Sequence, residues 1–190
     1  ALEQTRAQLR QLQKQVADAG GGGDASIFDA HLLFLEDSSV MREVESAVGD
    51  QRLNIEAAFY RTMSHYVERL RAIDDPYLRE RVIDIEDVTR RVLRNLSTGA
   101  QAAEYSARHP HLVVAHSLTP SDTAGLDREL VLGFATEVGS YTSHTAIIAR
   151  SLGLPAVVGL HGFCDDVHTG DELLLDGYNG IAIIDPSAET

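Results

Sequence analysis

The spacing of apolar residues changes character once along this chain, close to Gly99, and that change excludes a single repeated architecture. Before it, Leu2, Thr5, Leu9, Leu12 and Val16 alternate at intervals of three and four, the seam of an amphipathic helix laid against a neighbour. GGGGD at 20–24 ends that helix. Asp37, Ser38 and Ser39 offer N-caps for a short helix closing at Gly49. Asn54 opens another, with Ile55, Phe59, Met63, Tyr66 and Leu70 on one face. DDP at 74–76 is a stop and restart, with Asp75 as N-cap and Pro76 at the first helical position. The helix that follows carries Leu78, Val82, Ile85, Thr89, Val92 and Leu96.

Beyond Gly99 the pattern becomes short β-branched runs, HLVVAHS, LVLGFAT, PAVVGL, ELLLD and IAIID, separated by helix and turn signals; DGYNG between the last two marks a hairpin. The fold class is therefore α plus α/β. A helical bundle is expected over residues 1–99 and an α/β layered domain over 100–190, with active residues on loops at strand ends.

The bulk properties exclude several classes. A chain of 190 residues with 44% apolar and 24% charged residues is long enough to bury a core. The net charge is −13, about −4 up to Gly99 and about −9 after it, a balance that repels phosphate backbones and argues against nucleic acid. No apolar run approaches the roughly 20 residues that span a bilayer, and ALEQTRAQLR lacks the apolar region of a signal peptide, so a cytoplasmic protein without a membrane segment is expected. The single Cys164 has no partner for a disulfide or zinc site and is read as a small buried apolar residue.

Chemistry concentrates in VLGFATEVGSYTSHTAIIARSL: strand, glycine turn, hydroxyl-rich loop, then helix. Ser143, His144 and Thr145 fall where first-turn N–H groups lack partners, so an anion placed there meets donors and the positive end of the helix dipole. A histidine so placed is suited to carry a phosphoryl group, with Thr142, Ser143 and Thr145 stabilising the dianion. Phosphoryl transfer asks for positioning and charge stabilisation more than acid–base work. The bare triplet is equally that of a helix capped by Ser143 with a solvated histidine. No second histidine or cysteine follows at metal-ligand spacing, and a Ser143–His144 hydrolase dyad is disfavoured because helix neighbours point about 100° apart. A second strand-end cluster, LTPSDTAGLD at 118–127, brings Thr119, Ser121 and Thr123 as hydroxyls for the same site, or as caps of their own helix.

These stretches together resemble one family. The run GSYTSHTAIIARSLGLPAVVG is similar to the active-histidine signature of phosphoenolpyruvate-protein phosphotransferase, enzyme I of the bacterial sugar phosphotransferase system, and the likeness extends to LTPSDTAGL, IFDAHLLFLED and DDPYLRERVIDIEDVTRRVLRNL. The resemblance implies a helical subdomain that docks the phosphocarrier HPr and a swivelling-type α/β phosphohistidine subdomain. His144 would be the phosphorylated residue, Thr123 its hydroxyl partner, and Leu33, Phe34, Asp37 and Arg81 the HPr-binding face. It further implies no cofactor in this stretch, with phosphoenolpyruvate and magnesium bound by a C-terminal barrel outside it, and a homodimeric full-length protein. Tyr141 stands where the family's G-G-R-T-S-H form has an arginine. Two other readings are a swivelling domain of a pyruvate phosphate dikinase-like enzyme, against which the helical half argues, and a non-catalytic binding module, against which the retained T-S-H-T argues.

Independently of the resemblance, Leu32, Leu33, Phe34 and Leu35 are consecutive and point around nearly the whole circumference of a helix. Some of them are expected on a second contact surface.

Overall fold

The computed structural model describes residues 1–20, 23–97 and 109–187, and of 76–80 the backbone alone. The expected boundary at residues 99 and 100, Gly21 and Gly22 of the first glycine run, and the Leu78 side chain lie outside what is described. The chain forms two compact units, one of Ala1–Gln13 with Ser26–Glu104 and one of Lys14–Ala25 with Tyr105–Thr190.

The first unit is built of helices α1 (Leu2–Asp18, which also supplies the other unit), α2 (Ile27–Glu36), α3 (Ser38–Gly49), α4 (Ile55–Arg71) and α5 (Pro76–Leu96). The seam read for α1 is the face that packs, with Thr5, Leu9, Leu12 and Val16 buried. Polar residues set the register of α1 against α5: the Asn95 amide donates to Thr5 Oγ1 and to Gln8 Oε1, both at 2.9 Å. Asp37 caps α3, accepting the Ser39 N–H at 2.8 Å, and Asn54 caps α4, accepting the Ala57 N–H at 2.8 Å. The Ser39 hydroxyl and N–H on Asp37 hold that carboxyl below its ordinary range.

On α2 the consecutive leucines divide as the sequence demands: Phe28, His31 and Leu35 turn into the core while Leu33 is 71% exposed. His31 is completely buried. Its Nδ1 lies 3.0 Å from the Ile27 carbonyl, and its Nε2 faces Asp87 and Asp84 of α5, themselves buried. Burial pulls the imidazole down, but Asp87 and then Asp84 outweigh it and raise His31 above the ordinary histidine value.

The second unit holds β1 (His111–Ala115), α6 (Pro120–Ala124), β2 (Val131–Thr136), α7 (His144–Leu152), β3 (Ala156–Val158), α8 (Phe163–Asp166), β4 (Leu173–Asp176) and β5 (Ile181–Ile184). Strands β1, β2 and β3 form a parallel sheet in that order, so α6 and α7 are crossover helices, and β4 and β5 form an antiparallel hairpin. The five strands and the hairpin turn are where the residue pattern put them. At Gly133 of β2 a Cβ would stand 2.6 Å from the Pro155 carbonyl oxygen, the acceptor of the Phe134 N–H at 3.0 Å. Glycine is what lets the backbone of β2 approach the start of β3.

Candidate functional site

The turn at 139–143 and helix α7 are shaped by three local devices. Gly139 has φ +138, a conformation L side chains rarely adopt, and a Cβ there would press on Val158 at 3.2 Å. Ser143 is the N-cap of α7, its hydroxyl accepting the Ala146 N–H at 3.3 Å. Gly153 closes the helix in the left-handed region at φ 68 and ψ 26. Ala146, Ile148, Ala149 and Leu152 are buried, so the helix that carries His144 is anchored by its apolar face.

His144 is the first residue of α7 and is half-buried. The hydroxyls named around it have separate tasks. Thr142 is exposed, with its oxygen 3.3 Å from that of Ser140. Thr145 is buried and donates to the Leu118 carbonyl at 2.7 Å, which hangs the first turn of α7 on the loop before α6. Its hydrogen is directed to that loop.

Helix α6 starts at a capping box: Thr119 Oγ1 accepts the Asp122 N–H at 3.1 Å, and the Asp122 carboxylate accepts the Thr119 N–H at 3.2 Å and its hydroxyl at 2.7 Å. Thr123 is completely buried and donates its hydroxyl hydrogen to the Thr119 carbonyl at 2.9 Å. A hydroxyl so engaged offers lone pairs only, and suits accepting from a neighbouring N–H. Ser121, the third hydroxyl read from this cluster, is buried too.

The residues read as a partner face belong to the helical unit. Leu33 projects, while Phe34 is half-buried with its ring edge-on to Tyr66 at 6.1 Å between centroids. The Tyr66 hydroxyl in turn donates to Glu43 at 3.0 Å. Asp37 is exposed and caps α3. Arg81 is ion-paired with Asp84 at 3.0 Å, joining the acidic pair around His31 to the protein surface.

Sequence reasoning missed two features of the α/β unit. His116, just past β1, sets Nδ1 2.6 Å from Glu137 Oε2, just past β2, and Glu137 Oε1 accepts the Cys164 N–H at 3.0 Å. The His116 contact, then the Cys164 amide, hold the Glu137 carboxyl below its ordinary range. Cys164, expected to be buried, is half-buried, and what burial it has pushes its thiol up. The second is Arg150, whose guanidinium lies over the Tyr141 ring. Neither has a sequence signal, because His116 and Glu137 are 21 residues apart and Arg150 reaches back nine to Tyr141. Among the described residues no helix is long and apolar enough to cross a membrane.

Comparison with known proteins matches residues 1–81 to the family model described as PEP-utilising enzyme, N-terminal, and residues 107–180 to PEP-utilising enzyme, mobile domain. The chain is 40% identical over 191 residues to phosphoenolpyruvate-protein phosphotransferase of Bacillus subtilis (strain 168), which covers 100% of this chain and 33% of that protein. It is 39% identical over 188 residues to the protein of the same name from Enterococcus faecalis, covering 98% of this chain and 33% of the other. The chain thus spans about a third of the length of the curated relatives it matches. An NMR solution structure of Enzyme I superposes with a TM-score of 0.70 at 36% identity, covering 100% of this chain and 76% of that one. The N-terminal domain of Enzyme 1 - Nitrogen gives 0.67 at 28% identity, covering 97% and 75%. A helical unit, an α/β unit carrying the T-S-H-T turn, and these matches together place the chain in the phosphoenolpyruvate-protein phosphotransferase family, as its N-terminal and mobile domains.

Proposed function

We propose that His144 carries a phosphoryl group and exchanges it with a phosphocarrier protein, HPr or an HPr-like chain, which docks on the helical unit through Leu33, Phe34, Asp37 and Arg81. The observation that carries this reading is His144 as the opening residue of α7, capped by Ser143. One imidazole nitrogen attacks phosphorus in line. The new N–P bond forms as the N–P bond of the carrier's phosphohistidine breaks; that ring already bears a proton on its other nitrogen, so it leaves as a neutral imidazole. The other nitrogen of His144 keeps its hydrogen, which the lone pairs of Thr123 are suited to accept. The transferred dianion lies at the positive end of α7, with Thr142 and Ser143 at its rim. Thr145 acts mainly by holding the first turn in place.

The parent enzyme is proposed to work in the cytoplasm as a homodimer, charging His144 from phosphoenolpyruvate on the route to sugar uptake. Among the described residues no three His, Cys, Asp or Glu side chains are grouped so as to hold a metal ion. The magnesium and phosphoenolpyruvate expected of the parent enzyme are proposed, as the resemblance implies, to be bound by a C-terminal barrel, and no step above runs through them.

The test is incubation with phosphorylated HPr. One added phosphoryl, about 80 Da, should appear on the wild type, be labile in acid and stable in alkali, and be absent from His144→Ala. Label that survives acid, or that persists in His144→Ala, would overturn the assignment.

A further inference from the structure

The loop that delivers His144 is a tight turn. The Ser143 N–H donates to the Ser140 carbonyl at 3.0 Å, and residues 139–142 are exposed, so burial does not hold the turn. Arg150, near the end of the same helix, reaches back to it. Its Nη1 donates to the Tyr141 carbonyl at 2.9 Å, and its Cζ stands 4.4 Å from the centroid of the Tyr141 ring. One cation therefore grips one residue twice, by an N–H on the backbone carbonyl and by lying over the ring. A lysine ammonium, compact and strongly hydrated, is a poor substitute for that pair of contacts.

The grip has a fixed base. Helix α7 runs from the Ser143 cap to the Gly153 cap with its apolar face buried, so Arg150 and His144 belong to one rigid rod. Arg150 lies six positions after His144, about 9 Å along the axis. Through Arg150 the turn is referenced to the same helix that carries the imidazole. With the Tyr141 carbonyl held, Thr142 and Ser143 have little freedom left, since the turn closes between Ser140 and Ser143.

We propose that Arg150, acting through Tyr141, is a positioning residue for His144, a clamp that fixes the 140–143 turn over the start of α7 so that its polar groups meet the phosphoryl group without first being ordered. The proposal rests on the phosphoryl reading of His144. The guanidinium is directed at Tyr141, so Arg150 is assigned no contact with phosphate or with the carrier. Its removal is expected to reduce the rate at saturating carrier and to leave the carrier concentration for half-maximal rate unchanged.

The experiment measures phosphoryl uptake from phosphorylated HPr by wild type and by Arg150→Lys, Tyr141→Leu, Tyr141→Phe and the Arg150→Lys/Tyr141→Leu double variant, alongside amide hydrogen exchange at Ser143. Arg150→Lys and Tyr141→Leu should each lower kcat about tenfold or more with KM within twofold of wild type, the scale of a small misplacement near a reacting centre. Each should also speed exchange of the Ser143 amide. Tyr141→Phe keeps both the ring and the carbonyl and should behave as wild type, while the double variant should be no worse than either single one. Wild-type kcat and unchanged Ser143 exchange in Arg150→Lys would overturn the clamp while leaving the phosphohistidine intact. A loss confined to KM would make Arg150 a docking residue and overturn it too. Failure of the wild type itself to take up label overturns the underlying phosphoryl reading, and the clamp's part in transfer with it.

Discussion

His31 Nε2 of α2 stands 3.4 Å from Asp87 Oδ2 of α5 in the interior of the helical unit, with Asp84 Oδ1 at 3.9 Å. The groups facing the imidazole are these two carboxylates from α5, the Ile27 carbonyl from its own helix and the Phe28 ring; Arg81 balances the far side of Asp84. A folded pKa raised above the ordinary 6.5 makes this histidine contribute stability that is full below 6.5 and lost as pH rises through the higher folded value. Urea unfolding at about pH 6 and about pH 9 should show wild type losing stability across that interval, with His31→Gln losing distinctly less. His31→Ala, which leaves the two aspartates buried, should cost about 3 kcal/mol at the lower pH. Equal slopes in wild type and His31→Gln would place the pH dependence elsewhere.

Leu33 and Phe34 are neighbours with different duties, one projecting and the other seated against Tyr66. Leu33→Glu should leave unfolding stability within about 0.5 kcal/mol of wild type, as for an exposed site. It should weaken calorimetric binding of HPr by about 2 kcal/mol or more, the scale of an interface hot spot. Phe34→Glu should lose stability as well as binding. A folded Leu33→Glu that binds like wild type would remove Leu33 from the docking face.

Thr123 offers a separate check on the phosphoryl site. Thr123→Val preserves volume and removes the hydroxyl's bond to the Thr119 carbonyl, which still accepts the Thr123 N–H at 3.0 Å, so it should cost no more than about 1 kcal/mol of stability. If the hydroxyl also orients His144, uptake from phosphorylated HPr should fall about tenfold or more, and Thr123→Ser should restore it. Wild-type uptake by Thr123→Val would show that another group orients the ring.

Gly133 is a backbone test of the sheet. An added methyl meets the Pro155 carbonyl oxygen at 2.6 Å, and neither strand can give way without losing the Phe134 hydrogen bond. Gly133→Ala should therefore lower stability by about 2 kcal/mol, read as a reduced thermal midpoint. An unchanged midpoint would mean that the start of β3 shifts freely.

The helices and strands were legible because each needed only a local signal: the three-four seam of α1, the caps Asp37, Asn54 and Ser143, and the β-branched runs. The long-range polar contacts were not. His31 sits among the apolar residues of α2, and Asp84 and Asp87, both buried, lie on α5 far along the chain, so no local pattern pairs them. The one local hint was that Arg81 and Asp84 stand three apart on that helix. Nor does the sequence reveal that Lys14–Ala25 joins the second unit, since α1 is continuous through Asp18; the structure shows Asp24 accepting from the Ser151 hydroxyl of α7. At the candidate site, position and cap could be read from Ser143 and His144 alone. The employment of each hydroxyl could not, because Thr145 reaches 27 residues back to Leu118.

That bond from Thr145 to Leu118 bears on time as well as on shape. Leu118 immediately precedes Thr119, the cap of α6, so the backbone at His144 has no hinge of its own: displacing it would pull two helix starts apart. What remains is rotation of the imidazole about its two side-chain bonds, a motion on the order of nanoseconds. Under the proposed function, the ring searches its orientations many times over within a single encounter with a carrier, so its rotation does not limit transfer.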